Sequence, residues 1–266
     1  MLFRSEEQTV PDAGTQGLWP GKAVLLSINR FERKKDVGLA IRAFAKLDET
    51  TQCKAKLVIA GGYDPRVREN IEYHEELVKD AESRGLKCAT AKSIVTAQAV
   101  PDDVQVIFLH NVPSQAKSML LSTARLLVYT PTNEHFGIVP VEGMLAGVPV
   151  LATDTGGPKE SVVDGRTGWL RKPDAVDEWT AIMHKVIAEL SKDDIKTMGE
   201  AGKARVKQLF SFEEMARKLD EEIGEMRKSP RSKVMELQDV LLAVGVGAVV
   251  LIAILAAGSR MASQLS

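Results

Sequence analysis

From residue 23 the chain alternates short apolar runs with segments whose apolar residues recur at helical spacing. AVLLSI, over Ala23–Ile28, is an apolar run of strand length and predicts a buried strand. Val37, Ala40, Ile41 and Phe44 then repeat at helical intervals, which predicts a helix over 37–47. KLVIAGG at 56–62 predicts a second buried strand ending in glycines. Residues 64–84 are polar apart from one stripe of Val67, Ile71, His74, Leu77 and Val78, the pattern of a long amphipathic helix. Residues 87–103 show weak periodicity and read as a loop. VQVIFLH at 104–110 predicts the third strand, after which Pro113 opens a helix through Ser122. Strands follow at 124–130, 148–153 and 168–170, with helices at 137–146 and 158–163 between them. From about residue 175 to 227 the pattern is helical, with a break near Ser211.

Strand, connecting helix, strand at these lengths implies parallel pairing, and strands apolar along their whole length need cover on both faces. The pattern predicts an α/β fold, a single Rossmann-like doubly wound parallel sheet of about 200 residues. Ligands of such sheets bind beyond the carboxyl ends of the strands. Five loops lie there, at 29–35, 61–64, 110–117, 130–138 and 154–158, all rich in polar residues or glycine.

Outside this pattern, residues 1–21 carry Pro11, Pro20 and three glycines and read as a linker or exposed arm, not a signal peptide. VLLAVGVGAVVLIAILAA begins at Val240 without a charge, close to the length a bilayer-crossing helix needs, and predicts a transmembrane helix over 240–258. A buried soluble helix is the alternative, weakened by Gly245 and Gly247. Residues 228–239 form a basic juxtamembrane linker and 259–266 a short tail. Arg227, Lys228, Arg231 and Lys233 precede the run and only Arg260 follows, which places the preceding domain, 22–227, on the cytosolic side.

Composition narrows the chemistry. The 266 residues hold 35 Lys and Arg against 36 Asp and Glu, so no global charge points to nucleic acid. Cys53 and Cys88 make no disulfide framework and suit a reducing compartment, and the four histidines form no paired-ligand pattern, so no metal site is expected.

Two segments carry candidate chemistry. NRFERKKD at 29–36 sets Arg30, Arg33, Lys34 and Lys35 at a strand's carboxyl end ahead of a helix, where cations and free N–H groups can converge on one anion. A solvated charge run is the plain alternative. In NEHFGIVPVEGMLAGVPVLATDTGGPKESV, 133–162, Glu134 precedes a helix and Glu142 lies inside it. Along a continuous helix their spacing would leave them within about 80° in rotation but roughly 12 Å apart, too far to act on one bond. They can instead grip two ends of an extended ligand, with the helix N–H groups on an anion between them. Gly137 permits close backbone approach, and Pro140 falls in the first turn. The plain alternatives are a Glu134 that only favours a helix N-terminus and a surface-exposed Glu142.

SINRFERKKDVGLAIRAF, VIAGGYDPR, the stretch from VIFLHNVPSQAK through TPTNEHFGIVPVEGMLAGVPVLATDTGGPKESV, and GRTGWL resemble the C-terminal, donor-binding domain of retaining glycosyltransferases of the GT-B fold, the class marked by Glu-x7-Glu. SINRFERKKD, AGGYDPRV and TPTNEHFGIVP are similar in particular to the dolichol-pathway α-1,3/α-1,6-mannosyltransferases of N-glycan precursor assembly. The resemblance covers roughly residues 22–227. It implies transfer of mannose from GDP-mannose, with retention, to a dolichyl-diphosphate oligosaccharide. The implied setting is the endoplasmic reticulum membrane, cytosolic face, beside other glycosyltransferases of the pathway, with no metal or other cofactor and no nucleic acid.

Residue by residue, the resemblance implies that Arg30 and Lys35 hold the nucleotide diphosphate and stabilise its charge, and that Glu134 hydrogen-bonds the donor sugar; these three are the expected catalytic set. Phe136, Gly137 and Ile138 match the backbone turn on the diphosphate, Glu142 the ribose-binding glutamate, and Val112 through Lys117 the nucleobase border. His110 stands where relatives often carry glycine, and Arg33, Lys34 and His135 are expected to be solvated or to lie behind the contacting residues. GT-B enzymes close their site between two such domains, and residues 1–21 supply no acceptor-side counterpart, so donor binding without efficient transfer is expected. The alternative is a non-catalytic, tail-anchored sugar-nucleotide-binding or regulatory module that pairs with a full-length transferase.

Overall fold

The apolar runs become strands because each buries both of its faces. In the computed structural model, which describes residues 17–228, they are β1 (Ala23–Ile28), β2 (Ala55–Gly61), β3 (Cys88–Ala91), β4 (Val106–His110), β5 (Ala124–Tyr129), β6 (Val150–Thr153) and β7 (Gly168–Arg171). They form one seven-stranded sheet in the order β3-β4-β2-β1-β5-β6-β7, with every pairing parallel. Successive strand residues alternate between two cores. Leu25, Leu57, Phe108 and Val128 pack with helices α1 (Gly38–Ala45), α3 (Arg68–Ser83) and α8 (Val176–His184) through Phe44, Leu77 and Trp179. Val24, Leu26, Val58 and Leu127 pack on the other face with α5 (Ser114–Thr123), α6 (Ile138–Leu145) and α9 (Lys192–Leu209) through Leu120, Met144 and Val206. The short helices α2 (Glu49–Gln52), α4 (Ile94–Gln98) and α7 (Pro158–Ser161) complete this unit.

Two stretches depart from the sequence pattern. Residues 87–103, read as a loop, hold β3 and α4. β3 is an edge strand of small, partly exposed residues, CATA, so it has no apolar period to read; its place is set by pairing Cys88–Ala91 against Val106–Leu109. The helical stretch after residue 175 breaks at Leu190 as well as near Ser211. There Arg125, on β5, donates to the carbonyls of Val186 and Leu190, and Ser191 caps α9.

The chain divides into two compact units between Met215 and Ala216. Helix α10 (Phe212–Lys228) carries Phe212, Met215, Leu219, Ile223 and Met226 exposed at helical spacing. The predicted transmembrane helix, 240–258, lies outside the described residues; among those described, no helix is long and apolar enough to cross a membrane.

The loops beyond the strand ends stay in backbone contact. Asn29 N–H donates to Ala60 O at 3.0 Å and Phe31 N–H to Gly62 O at 3.1 Å, which carries the β1–β2 pairing past both strands. A Cβ on Gly61 would lie 1.7 Å from the Asn29 carbonyl oxygen. Since backbone on both sides must move to relieve this, Gly61→Ala is expected to destabilise the domain by about 3 kcal/mol. A shift of the urea midpoint checks it; an unchanged midpoint refutes the contact.

Candidate functional site

The crossover from β4 to β5 returns past β2 and β1, so the connections leaving β1 and β5 diverge to opposite faces and open a crevice between the two strand ends. This is the switch point at which doubly wound sheets bind ligands. The loop after β1 is anchored by Phe31, fully buried, and tightens into a single 3-10 turn over Arg33–Lys35. Asp36, at φ 40°, ends that turn, and the Thr130 hydroxyl donates to the Lys35 carbonyl at 2.7 Å. Lys35 is thereby aimed across the crevice, where its ammonium donates to the Glu134 carboxylate, a residue 99 positions away. The side chains of Lys35 and Glu134 are 15% and 28% exposed, so solvent screens the pair only in part.

Glu134 is held from below by the loop after β6. Gly157 N–H donates to the Glu134 carbonyl at 2.8 Å. Cβ atoms on Gly156 and Gly157 would lie 2.3 Å from the Glu134 carbonyl oxygen and 2.2 Å from that of Phe136, so only glycines admit this approach. Gly137, at φ 74°, turns the chain over the Tyr129 ring, and α6 begins only at Ile138. Glu134 therefore lies in the loop before α6 and Glu142 inside it, as the sequence pattern predicts, with a left-handed turn at Gly137 between them. Burial, and then the neighbouring Glu134 carboxylate, push the Tyr129 phenol above its ordinary value.

Glu142 has its own lysine. Lys117, on α5, donates to Glu142 Oε1 at 2.6 Å, while Oε2 is buried and accepts no hydrogen bond. Val112 is half-buried against the second core, beside α5. Phe136 and Ile138 are exposed, and the Phe136 ring meets Phe210 edge-on at 5.6 Å. His135 is exposed.

Arg30 stands apart from these pairs. Its side chain lies over Gly62, is 72% exposed, and has Glu32 at 3.6 Å. Of the two places expected for Arg33, in solvent or behind the contacting residues, it takes the second and reaches α3: its N–H donates to Glu69 at 3.1 Å and its guanidinium pairs with Glu76 at 2.5 Å and Glu72 at 3.5 Å. It ties the turn that carries Lys35 to the helix beside it. Lys34 pairs with Glu32 at 3.0 Å. Thr130 and the glycine pair 156–157 lie in the strand-end loops marked in the sequence, where the TGG run is the visible signal, whereas Tyr129 lies just outside them and carries none.

His110 faces the α3 side, not the crevice. Its ring stacks on Tyr63 at 3.9 Å and 7°, with Phe31 and His74 edge-on at 5.0 and 4.5 Å, and its Nε2 is buried without a partner. Burial, and then His74, push its pKa down to about 4; burial lowers that of His74 too.

A doubly wound parallel sheet with charged and glycine-rich loops at its switch point has the architecture of a ligand-binding α/β domain. The chain belongs to the glycosyl transferases group 1 family, whose model matches residues 14–205. It is 52% identical over 229 residues to the alpha-1,3/1,6-mannosyltransferase alg-2 of Neurospora crassa, covering 85% of this chain and 48% of that protein. It is 44% identical over 228 residues to the alpha-1,3/1,6-mannosyltransferase alg2 of Schizosaccharomyces pombe, covering 84% and 45%. The chain thus spans about half the length of the curated relatives it matches. Its fold is shared with Anabaena HepE, solved in complex with UDP-glucose, at a TM-score of 0.61 and 23% identity over 77% of this chain and 50% of that one.

The histidine cluster gives the domain a pH signature. A histidine whose folded pKa is lowered stabilises the fold fully above its unfolded value near 6.5, and that contribution is lost as pH falls toward the folded value, about 4 for His110. The melting temperature is expected to fall between these limits. His110→Phe keeps the stack on Tyr63 and removes the titration, so it flattens the fall, with the remainder left to His74. An unaltered profile in that variant refutes the assignment.

Proposed function

We propose that this chain is the sugar-nucleotide-binding part of a mannosyltransferase that uses GDP-mannose, retains the anomeric configuration, and builds α-1,3 and α-1,6 linkages on a dolichyl-diphosphate oligosaccharide. The observation that carries the reading is the Lys35–Glu134 pair at the β1/β5 switch point, in a chain 52% identical to a protein named as an alpha-1,3/1,6-mannosyltransferase.

On this reading the donor's diphosphate enters the crevice and competes with Glu134 for the Lys35 ammonium. Glu134, released, accepts a hydrogen bond from a hydroxyl of the donor sugar. Negative charge grows on the diphosphate as the glycosidic bond breaks, and Lys35, Arg30 and the free N–H groups at the start of α6 stabilise it. The reading calls on these fixed cations for the role a metal ion plays elsewhere. Glu142, with one oxygen on Lys117 and the other free to accept, takes the ribose hydroxyls, and Val112 borders the base. The membrane-spanning helix proposed for 240–258 holds the domain at the cytosolic face of the endoplasmic reticulum, near the lipid-linked acceptor and the other transferases of the pathway. The chain spans about half the length of the relatives it matches, so donor binding is the part of the reaction proposed for these residues and transfer is proposed for the whole protein.

Titration of GDP-mannose and GDP into the full chain in detergent, followed by calorimetry, tests this. A charge-assisted contact is worth about 1.5–3 kcal/mol. Lys35→Ala is therefore expected to weaken both ligands at least tenfold, and Glu134→Ala to narrow the gap between them, because it removes the sugar contact and frees Lys35. Equal affinities in Lys35→Ala and the unaltered chain would sink the reading. An assay of mannose transfer to a lipid-linked acceptor separates the half-site from a self-sufficient enzyme.

A further inference from the structure

The GGYDPR motif after β2 walls an open depression of about 610 Å³, bordered also by Arg30 and Asn111 from the loops after β1 and β4. Donor binding as read above leaves it unused except for Arg30. Its walls are fixed before any ligand arrives. Asn111, at φ 53°, accepts the Tyr63 N–H at 2.8 Å and donates to the Tyr63 carbonyl at 2.6 Å, a strand-like pairing made by a side chain. Asn70, on α3, accepts the Asp64 N–H at 2.9 Å and donates to the Phe31 carbonyl at 3.1 Å, so it joins the loops after β1 and β2.

With both amides committed to backbone, the charged groups that border the depression are Arg30, Glu32, Asp64 and Arg66. Arg66 forks onto Asp64 at 3.0 and 2.9 Å and is 88% exposed; Arg30 stands across from it with Glu32 alongside. Two cations face two carboxylates, so the depression carries no net charge and gives a bare anion little advantage. A polyol is served better: guanidinium N–H groups donate to hydroxyl oxygens while the adjoining carboxylate accepts hydroxyl hydrogens. The volume falls within the roughly 300–1,000 Å³ of small-molecule sites.

We propose that this depression is a sugar subsite that holds a hexose of the acceptor glycan beside the donor, with Asp64 and Arg66 as its hydroxyl-binding pair. The proposal rests on the glycosyl-transfer reading: a 1,3 or 1,6 linkage is made to a hydroxyl of a sugar ring, and Arg30, shared by both sites, sets that ring next to the departing diphosphate.

The test uses the full chain in detergent micelles and a free mannose trisaccharide carrying α-1,3 and α-1,6 linkages, titrated by saturation-transfer NMR with GDP present. GDP-mannose affinity is measured in parallel. The trisaccharide is expected to bind, Arg66→Gln and Asp64→Asn each to weaken it at least tenfold, and both variants to hold GDP-mannose within twofold of the unaltered chain. No trisaccharide binding, or binding undiminished in Arg66→Gln, overturns the proposal. Displacement of the trisaccharide by equimolar inorganic phosphate also overturns it, since the site is then for anions. If GDP-mannose fails to bind while an Arg66-dependent trisaccharide signal persists, the donor reading falls and the sugar subsite stands.

Discussion

All seven strands run one way, so every loop that follows a strand emerges on the same edge of the sheet. The crossover to β5 parts the connections on either side of β1, and the crevice this leaves is spanned by a half-buried ion pair between residues 99 positions apart, Lys35 and Glu134. Neither charge is well solvated, and either left alone would be unfavourable. On the proposed reading the pair acts as a latch, opened by a ligand able to satisfy both ends, an anion for the ammonium and a hydroxyl for the carboxylate. A nucleoside diphosphate sugar has both.

Around that latch the backbone is closely fitted. Gly61 against Asn29, and Gly156 and Gly157 against Glu134 and Phe136, are approaches closer than any side chain permits, and they fix the loops after β2 and β6 on their neighbours. Asn70 and Asn111 do the same through amides that substitute for a strand partner. Arg33 extends the scheme: its contacts with Glu69 and Glu76 hold the turn from which Lys35 projects. A frame ordered in advance spares the ligand the entropy of arranging it.

The central strands were legible in the sequence because they are apolar on both faces, and the candidate residues because each strand end is followed by polar groups or glycine. β3 was not legible, since CATA on an exposed edge leaves no periodic trace. The pattern placed Glu134 before the helix and Glu142 inside it, as observed, but only the three-dimensional structure shows that each has a lysine of its own. Whether Arg33 lay in solvent or behind the contacting residues stayed open in the sequence because its partners lie on α3, more than a strand away. His110, flagged by its resemblance-based position at the base pocket, belongs to an aromatic cluster on the opposite side of its strand.

The two lysine–glutamate pairs, alike in composition, differ in what they offer a ligand. Glu134 gives up its lysine only if something replaces it, so the first contact is an exchange, with a net gain smaller than either bond. Glu142 keeps Lys117 on one oxygen and has its other oxygen buried without a donor. A buried acceptor left unsatisfied costs about 1–3 kcal/mol, and with this oxygen closed to solvent a ligand hydroxyl reaches it only when the side chains over it move. On the proposed reading the Lys35 end answers the charge that departs with the diphosphate, and the exchangeable pair stands at the bond that breaks.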